Sequence, residues 1–132
     1  MKYRLMDVLA CPECKKFPLE LIVLSERTIE GAEAPEGFRC QDYCGLERKF
    51  LKELEEEPDC RACFAREIEE GVLYCPGCGR WYPIMAALPR LFPDRLREER
   101  MKREELAFLR KHEAELPEKI TREGKPYNLS SA

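Results

Sequence analysis

The sequence predicts an α+β protein in which a small β lobe, closed by two cysteine turns, is interrupted by a helical, Cys-clamped insertion and followed by a C-terminal helix. Three observations carry this expectation. Eight cysteines fall into four close pairs within 132 residues. Short apolar runs border the outer two pairs, whereas apolar residues at helical spacing border the inner two. Beyond residue 94 the chain turns strongly charged and keeps a thin apolar stripe. A chain of this length holds one domain or two small lobes.

The first part of the β lobe spans residues 1–30. Cys11-Pro-Glu-Cys14 precedes an apolar run from Phe17 to Ser25 that reads as a strand. A turn-rich stretch, Glu30-Gly-Ala-Glu-Ala-Pro-Glu-Gly37, then opens the insertion, residues 31–71. Inside it Leu46, Phe50, Leu51 and Leu54 stand at helical spacing between Lys and Glu, and a second short helix is expected from about Cys63 to Glu70. The β lobe resumes over residues 72–93, where Val72 to Cys75 leads through a turn into Arg80 to Met85. Residues 94–132 form the last part. Asp94 is placed to cap a helix from Arg95 to Leu116 that stops before Pro117, and the segment from Gly124 to Ala132 is expected to lie extended.

The cysteines carry the chemistry. Without a secretion signal, four close pairs point to metal ligation in preference to a disulfide framework. Zinc takes four thiolate or imidazole ligands in a tetrahedron, and a Cys-x2-Cys turn presents two thiolates to one ion. Cys11-Pro-Glu-Cys14 and Cys75-Pro-Gly-Cys78 have this form, and Gly79 supplies a position without Cβ where the chain turns back. Cys11, Cys14, Cys75 and Cys78 are therefore expected to form one zinc site closing a zinc-ribbon-like lobe. A redox dithiol is the competing reading of either motif, but it lacks the βαβ context such motifs require. The inner quartet, Cys40, Cys44, Cys60 and Cys63, is open between a second zinc, two disulfides and buried free thiols. Either clamp would be structural, because a lobe of about 40 residues buries too little apolar surface to hold itself.

The disulfide alternative stays open because the chain has one Asn (Asn128) and one Gln (Gln41) amid abundant Glu, Lys and Arg. That composition resembles proteins of hot habitats, whose intracellular members do carry disulfides. With 44% hydrophobic and 37% charged residues the chain is neither disordered nor a membrane protein. No apolar run approaches the roughly 18 residues of a membrane span, and the opening to Cys11 lacks the features of a signal peptide, so a cytoplasmic location is expected. Loading both sites with zinc would move the formal net charge from −3 to −7. An acidic body suits the phosphate backbone poorly, so RNA contact is expected to be indirect at most. Arg95, Arg97, Arg100, Lys102 and Arg103 alternate with glutamates and read as a solvated helix face. The single histidine, His112, reads as a surface residue of the same helix, and no catalytic constellation is recognisable, so no enzyme activity is expected.

The segment from Trp81 to Pro93 holds one charge. Trp81, Tyr82, Pro83, Ile84, Met85, Leu88, Leu91 and Phe92 supply more apolar surface than a small lobe can cover, and surplus of this kind marks an interface. Leu5, Val8 and Leu9 are tied to the same region through the shared zinc. An exposed edge at Tyr82 to Met85 would offer its backbone to another sheet. The alternative is that the C-terminal helix folds back over part of this surface.

These residues carry a resemblance. Met1-Lys-x3-Met-Asp-Val-Leu-Ala-Cys11-Pro, the following Phe17-Pro-Leu, and above all Gly71-Val-Leu-x-Cys75-Pro-x-Cys78-Gly-Arg-x-Tyr82-Pro-Ile84-x3-Leu88-Pro-x-Leu91 resemble the Trm-one-twelve family. Its members are small zinc-binding activator subunits of S-adenosylmethionine-dependent methyltransferases, and the size, acidity and interrupted lobe resemble archaeal and eukaryotic members. The resemblance covers residues 1–25 and 71–92. It implies a Rossmann-like catalytic subunit that modifies tRNA, rRNA or a translation factor, and that the activator keeps soluble by covering its apolar surface and extending its sheet. It also implies that Cys11, Cys14, Cys75 and Cys78 are zinc ligands and that Trp81 to Leu91 is the docking strand and loop. The chain departs from the family in its inner Cys quartet and in Ala87, where a Gly is frequent. A zinc-ribbon module that binds RNA or a transcription complex is the alternative function.

Overall fold

Strands β1 (Glu20–Thr28) and β4 (Arg66–Tyr74) pair antiparallel along their length in the computed structural model, which describes residues 1–130. Strand β5 (Trp81–Met85) lies against the other side of β4, and the short β6 (Leu88–Pro89) follows it at the edge, giving the order β1-β4-β5-β6. A two-stranded hairpin, β2 (Tyr43–Cys44) and β3 (Lys49–Phe50), stands apart from this sheet. The helices are α1 (Cys60–Phe64), α2 (Glu99–Lys111) and α3 (Glu118–Thr121), and a 3-10 helix covers Tyr3–Asp7. This is the α+β class the cysteine turns and apolar runs predict.

Successive strand residues point to opposite faces, and here both faces are covered. Leu21, Leu73, Tyr82 and Ile84 face one core, built with Met1, Tyr3 and Met6 from the N-terminal segment. Val72 and Trp81 face a second core, built with Leu106, Leu109, Leu116, Ile120 and Tyr127 from the C-terminal segment. This explains why β4 ends in the unbroken apolar run Gly71-Val-Leu-Tyr74: a strand buried on both sides has no polar face to show. Register shifts between Val23 and Glu26 break the alternation, and Ile68 therefore joins the same core as Leu73.

The insertion differs from the helical expectation. The stretch carrying Leu46, Phe50, Leu51 and Leu54 is the β2–β3 hairpin followed by one 3-10 turn, Leu51–Glu53. Arg48, with φ of 59°, reverses the chain, and Phe50 then packs edge-on to both Phe17 and Tyr43, a long-range contact that helical spacing does not encode. The second helix begins at Cys60 and ends at Phe64. Residues from Arg66 onward, expected in that helix as far as Glu70, belong to β4, because they find hydrogen-bond partners in β1.

The C-terminal part also differs in detail. The expected helix from Arg95 to Leu116 is divided into a 3-10 turn, Asp94–Leu96, helix α2 and a second 3-10 turn, Glu113–Glu115. Asp94 does not cap it, because both its carboxylate oxygens are taken by the Arg80 guanidinium, at 2.7 to 3.1 Å. The tail bridges to the start of β5: Trp81 N–H donates to Lys125 O, and Trp81 Nε1 to Tyr127 O. Ser131 and Ala132 of the expected extended tail lie outside the described residues.

Candidate metal centre

Two turns of the same shape bring four thiols together. In the first, Lys15 N–H donates to Cys11 O and Cys11 N–H to Lys16 O; in the second, Gly79 N–H donates to Cys75 O and Cys75 N–H to Arg80 O. Both turns close through a left-handed residue, Lys15 with φ of 68° and Gly79 with φ of 79°. Gly79 takes that conformation without strain, as its lack of Cβ predicts; Lys15 takes it with a side chain attached.

The ligand atoms of Cys11, Cys14, Cys75 and Cys78 all lie within 4.8 Å of one another. Cys11 Sγ is 3.7 Å from Cys78 Sγ, and Cys14 Sγ is 3.4 Å from Cys75 Sγ. A zinc tetrahedron with Zn–S bonds of about 2.3 Å has edges of about 3.8 Å. The four sulfurs therefore fit zinc, which would pin the N-terminal segment to β4 and β5.

The surroundings favour thiolate at Cys11. Burial works against the charge, but the Tyr82 hydroxyl, 3.2 Å from Cys11 Sγ, together with the amides of Cys14 and Glu13 and the Cys78 thiol, brings the group down to about 7. Arg80 adds a cation beside the pair. Its guanidinium is held by the Asp94 carboxylate, which with the neighbouring Cys78 pushes its proton affinity upward. Tyr82 and Arg80 are residues that the sequence reading did not place in the centre. Tyr82 carries a legible signal, since a polar tip on an otherwise buried side chain four residues after Cys78 needs a partner.

The inner quartet is arranged differently. Among the described residues, Cys11, Cys14, Cys75 and Cys78 are the one group of three or more metal-ligating side chains gathered within 4.8 Å. Cys40, Cys44, Cys60 and Cys63 are near neighbours all the same. Burial first, then the other inner cysteines among nearby groups, push Cys40 and Cys63 each up to about 11.

The apolar residues predicted to dock a partner divide between interior and surface. Trp81, Tyr82, Pro83 and Ile84 are buried within the chain, the first by the C-terminal segment and Tyr82 and Ile84 by the N-terminal one. Leu5, Leu9, Met85 and Leu91 are half-buried against the two cores. Val8 and Leu88 are exposed at 69% and 67%, and Phe92 at 38%. Nor is Tyr82 to Met85 an open edge. Pro83 O accepts from Arg90 N–H, Trp81 O from the Arg97 guanidinium, and Ile84 and Met85 pair with β6. The edge is β6.

A model of the Trm112p-like protein family matches residues 2–85. The chain belongs to the Trm112p-like family. The match takes in both cysteine turns, the insertion and β5, so all four outer cysteines lie within it. Trm112p-like proteins are known as activators of methyltransferases, regulatory subunits and not themselves enzymes, and methyltransferases are thus their partners in general. No curated protein matches the chain. No helix among the described residues is long and apolar enough to cross a membrane.

Two further residues of this Trm112p-like chain lie elsewhere than predicted. His112 is buried, with Nε2 3.1 Å from Glu70 Oε2 and its ring 4.8 Å from that of Phe108, because α2 lays this face on the sheet. Arg97 is also buried and not part of a solvated basic face; it pairs with Glu105 beneath the rings of Trp81, Tyr82 and Tyr127.

Proposed function

We propose that this protein is a noncatalytic activating and stabilising subunit of S-adenosylmethionine-dependent methyltransferases. Its partners are Rossmann-like catalytic subunits that act on tRNA, rRNA or translation factors in the cytoplasm. The observation that carries the reading is the exposure of Leu88 on the edge strand, and of Phe92 in the loop just after it, beside a sheet whose two faces are otherwise covered. Apolar side chains standing out at the sheet edge suit a partner that buries an apolar rim.

The rest of the chain holds that edge in place. The Met1 amine donates to Glu67 Oε1, Ile68 O and Ala87 O, fastening the N-terminal segment to the tip of the β5–β6 hairpin. Val8 and the half-buried Leu5 and Leu9 thus extend the docking surface from the N-terminal side. One zinc at Cys11, Cys14, Cys75 and Cys78 locks the segment to β4 and β5. The acidic overall charge and the burial of Arg97 within the basic cluster weigh against direct RNA binding.

The test is co-expression with a Rossmann-like methyltransferase catalytic subunit. Wild-type chain should form a one-to-one complex and raise methyl transfer. Leu88→Asp with Phe92→Asp should lose the complex while keeping the bound zinc. A variant that loses neither would place the docking surface elsewhere.

A further inference from the structure

The β2–β3 hairpin contains a third turn of the same kind as the two that build the metal centre. Arg48 N–H donates to Cys44 O at 2.7 Å, and Arg48 is left-handed with φ of 59°. Lys15 and Gly79 stand in the same relation to Cys11 and Cys75. Cys44 pairs with Lys49 as Cys11 does with Lys16 and Cys75 with Arg80. The likeness extends to the sulfur. Glu47 N–H, three residues on, points at Cys44 Sγ at 3.4 Å, as the amides three residues beyond Cys11 and Cys75 do at theirs. An amide aimed at sulfur is thus the contact made at the first cysteine of all three turns.

The hairpin turn lacks the second cysteine of the outer turns, since Glu47 stands there. Three other thiols surround it. Cys40 lies just before β2, on a loop fixed by the Asp7 carboxylate, which accepts from the amides of Gln41, Asp42 and Tyr43 at 2.8 Å each. Cys60 and Cys63 lie one turn apart on α1, whose start is capped by the Asp59 carboxylate accepting from Ala62 N–H. Helix α1 and the hairpin both pack on the Tyr3–Asp7 segment, so the three elements bearing cysteines converge there.

We propose that Cys40, Cys44, Cys60 and Cys63 form a second, structural zinc centre that organises the insertion. The sulfurs stand wider apart than the outer four, and the ion would draw them together. The ligand set is four soft thiolates, which selects zinc over magnesium or calcium. The centre would supply the cross-link that a segment with so few buried side chains needs. It is independent of whether the chain activates methyltransferases.

The experiment uses the full chain, purified under exclusion of air without chelator or added reductant, with zinc counted by elemental analysis and by native mass spectrometry. The inference expects two zinc ions per chain, falling to one in Cys60→Ser/Cys63→Ser. It also expects cobalt(II) titration of the metal-free wild type to yield tetrahedral thiolate absorption that saturates at two equivalents. One zinc in the wild type, with the inner cysteines found as four free thiols or as two disulfides, would overturn it. So would cobalt absorption saturating at one equivalent, a result that stands even if the double variant does not fold. Loss of methyltransferase binding would bear on the docking reading and leave the metal count untouched.

Discussion

Arg97 and Glu105 form an ion pair with no side-chain exposure on either partner, Arg97 Nη2 lying 2.5 Å from Glu105 Oε1. The same guanidinium donates to Trp81 O at 2.9 Å, and Tyr127 O–H donates to Glu105 Oε1 at 2.6 Å. Three aromatic rings stand within 5.0 to 5.2 Å of the Arg97 carbon, so the cation replaces its lost water with quadrupoles and acceptors. Through this pair α2 and the tail are fixed to β5.

Removing one partner strands the other. Arg97→Ala leaves the Glu105 carboxylate without a cation in a dry site, and breaking buried pairs of this kind costs about 3–5 kcal/mol. Urea unfolding should show a loss of that size. A change below about 1 kcal/mol would mean that water reaches Glu105.

Gly124 is a second point at which the tail is tested. A Cβ there would lie 2.5 Å from Ile120 O and 2.6 Å from Trp81 Cδ1. Gly124→Ala should cost about 1–3 kcal/mol through overpacking. Because Trp81 is the single tryptophan, its emission should shift to the red if the tail lifts away; unchanged emission and stability would contradict this packing.

The paired cysteine turns predict substitutions of opposite sign. Lys15→Gly relieves a side chain held at φ of 68° and should stabilise by up to about 1 kcal/mol, whereas Gly79→Ala at φ of 79° should destabilise by about 1 kcal/mol. Thermal unfolding of the zinc-loaded protein reads both.

Acid should weaken the fold through its paired carboxylates. The Arg80 guanidinium beside Asp94 holds its carboxyl below the ordinary 3.8. For Glu67, burial is outweighed by the Met1 amine and Lys2, and its carboxyl falls below 4.5. A depressed carboxyl stabilises the fold above its unfolded value, so this contribution is complete above about pH 5 and is lost as pH falls through the lowered values. Asp94→Asn should remove about 0.5–1 kcal/mol near neutral pH, less below about pH 3. An equal loss at both pH values would show that the ion pair is not the cause.

The gathering of the four outer thiols was legible because Cys-x2-Cys spacing places two sulfurs together locally, and similar flanking runs named the partner turn. The hairpin was not legible. Leu46, Phe50, Leu51 and Leu54 satisfy helical spacing, and the deciding features are the left-handed Arg48 and the contacts of Phe50 with Phe17 and Tyr43, none marked by residue type. Arg97 and His112 were hidden among charges for a like reason. Their partners, Glu105 and Glu70, are chosen by packing α2 on the sheet, and one of them lies 42 residues away. The apolar excess after Cys78 was legible as a quantity, but its division between two cores and an edge depends on strand alternation with both faces covered.

That division separates two substitutions. Ile84→Asp places a carboxylate in the N-terminal core, where Ile84 has no exposure, and should lower stability by more than about 3 kcal/mol and release zinc together with any partner. Leu88→Asp lies at the surface and should change stability by less than about 0.5 kcal/mol. Zinc retained by the Ile84→Asp protein would show that this core does not support the metal centre.

The most direct measurement is purification of the protein from its native source under gentle conditions, with identification and stoichiometry of whatever co-elutes. The account predicts a Rossmann-like S-adenosylmethionine-dependent methyltransferase at a one-to-one ratio, released when Leu88 and Phe92 are both replaced by Asp. Recovery of RNA or RNA polymerase subunits with no methyltransferase would contradict it, and would assign the four-stranded sheet and its cysteine turns to a nucleic-acid or transcription complex.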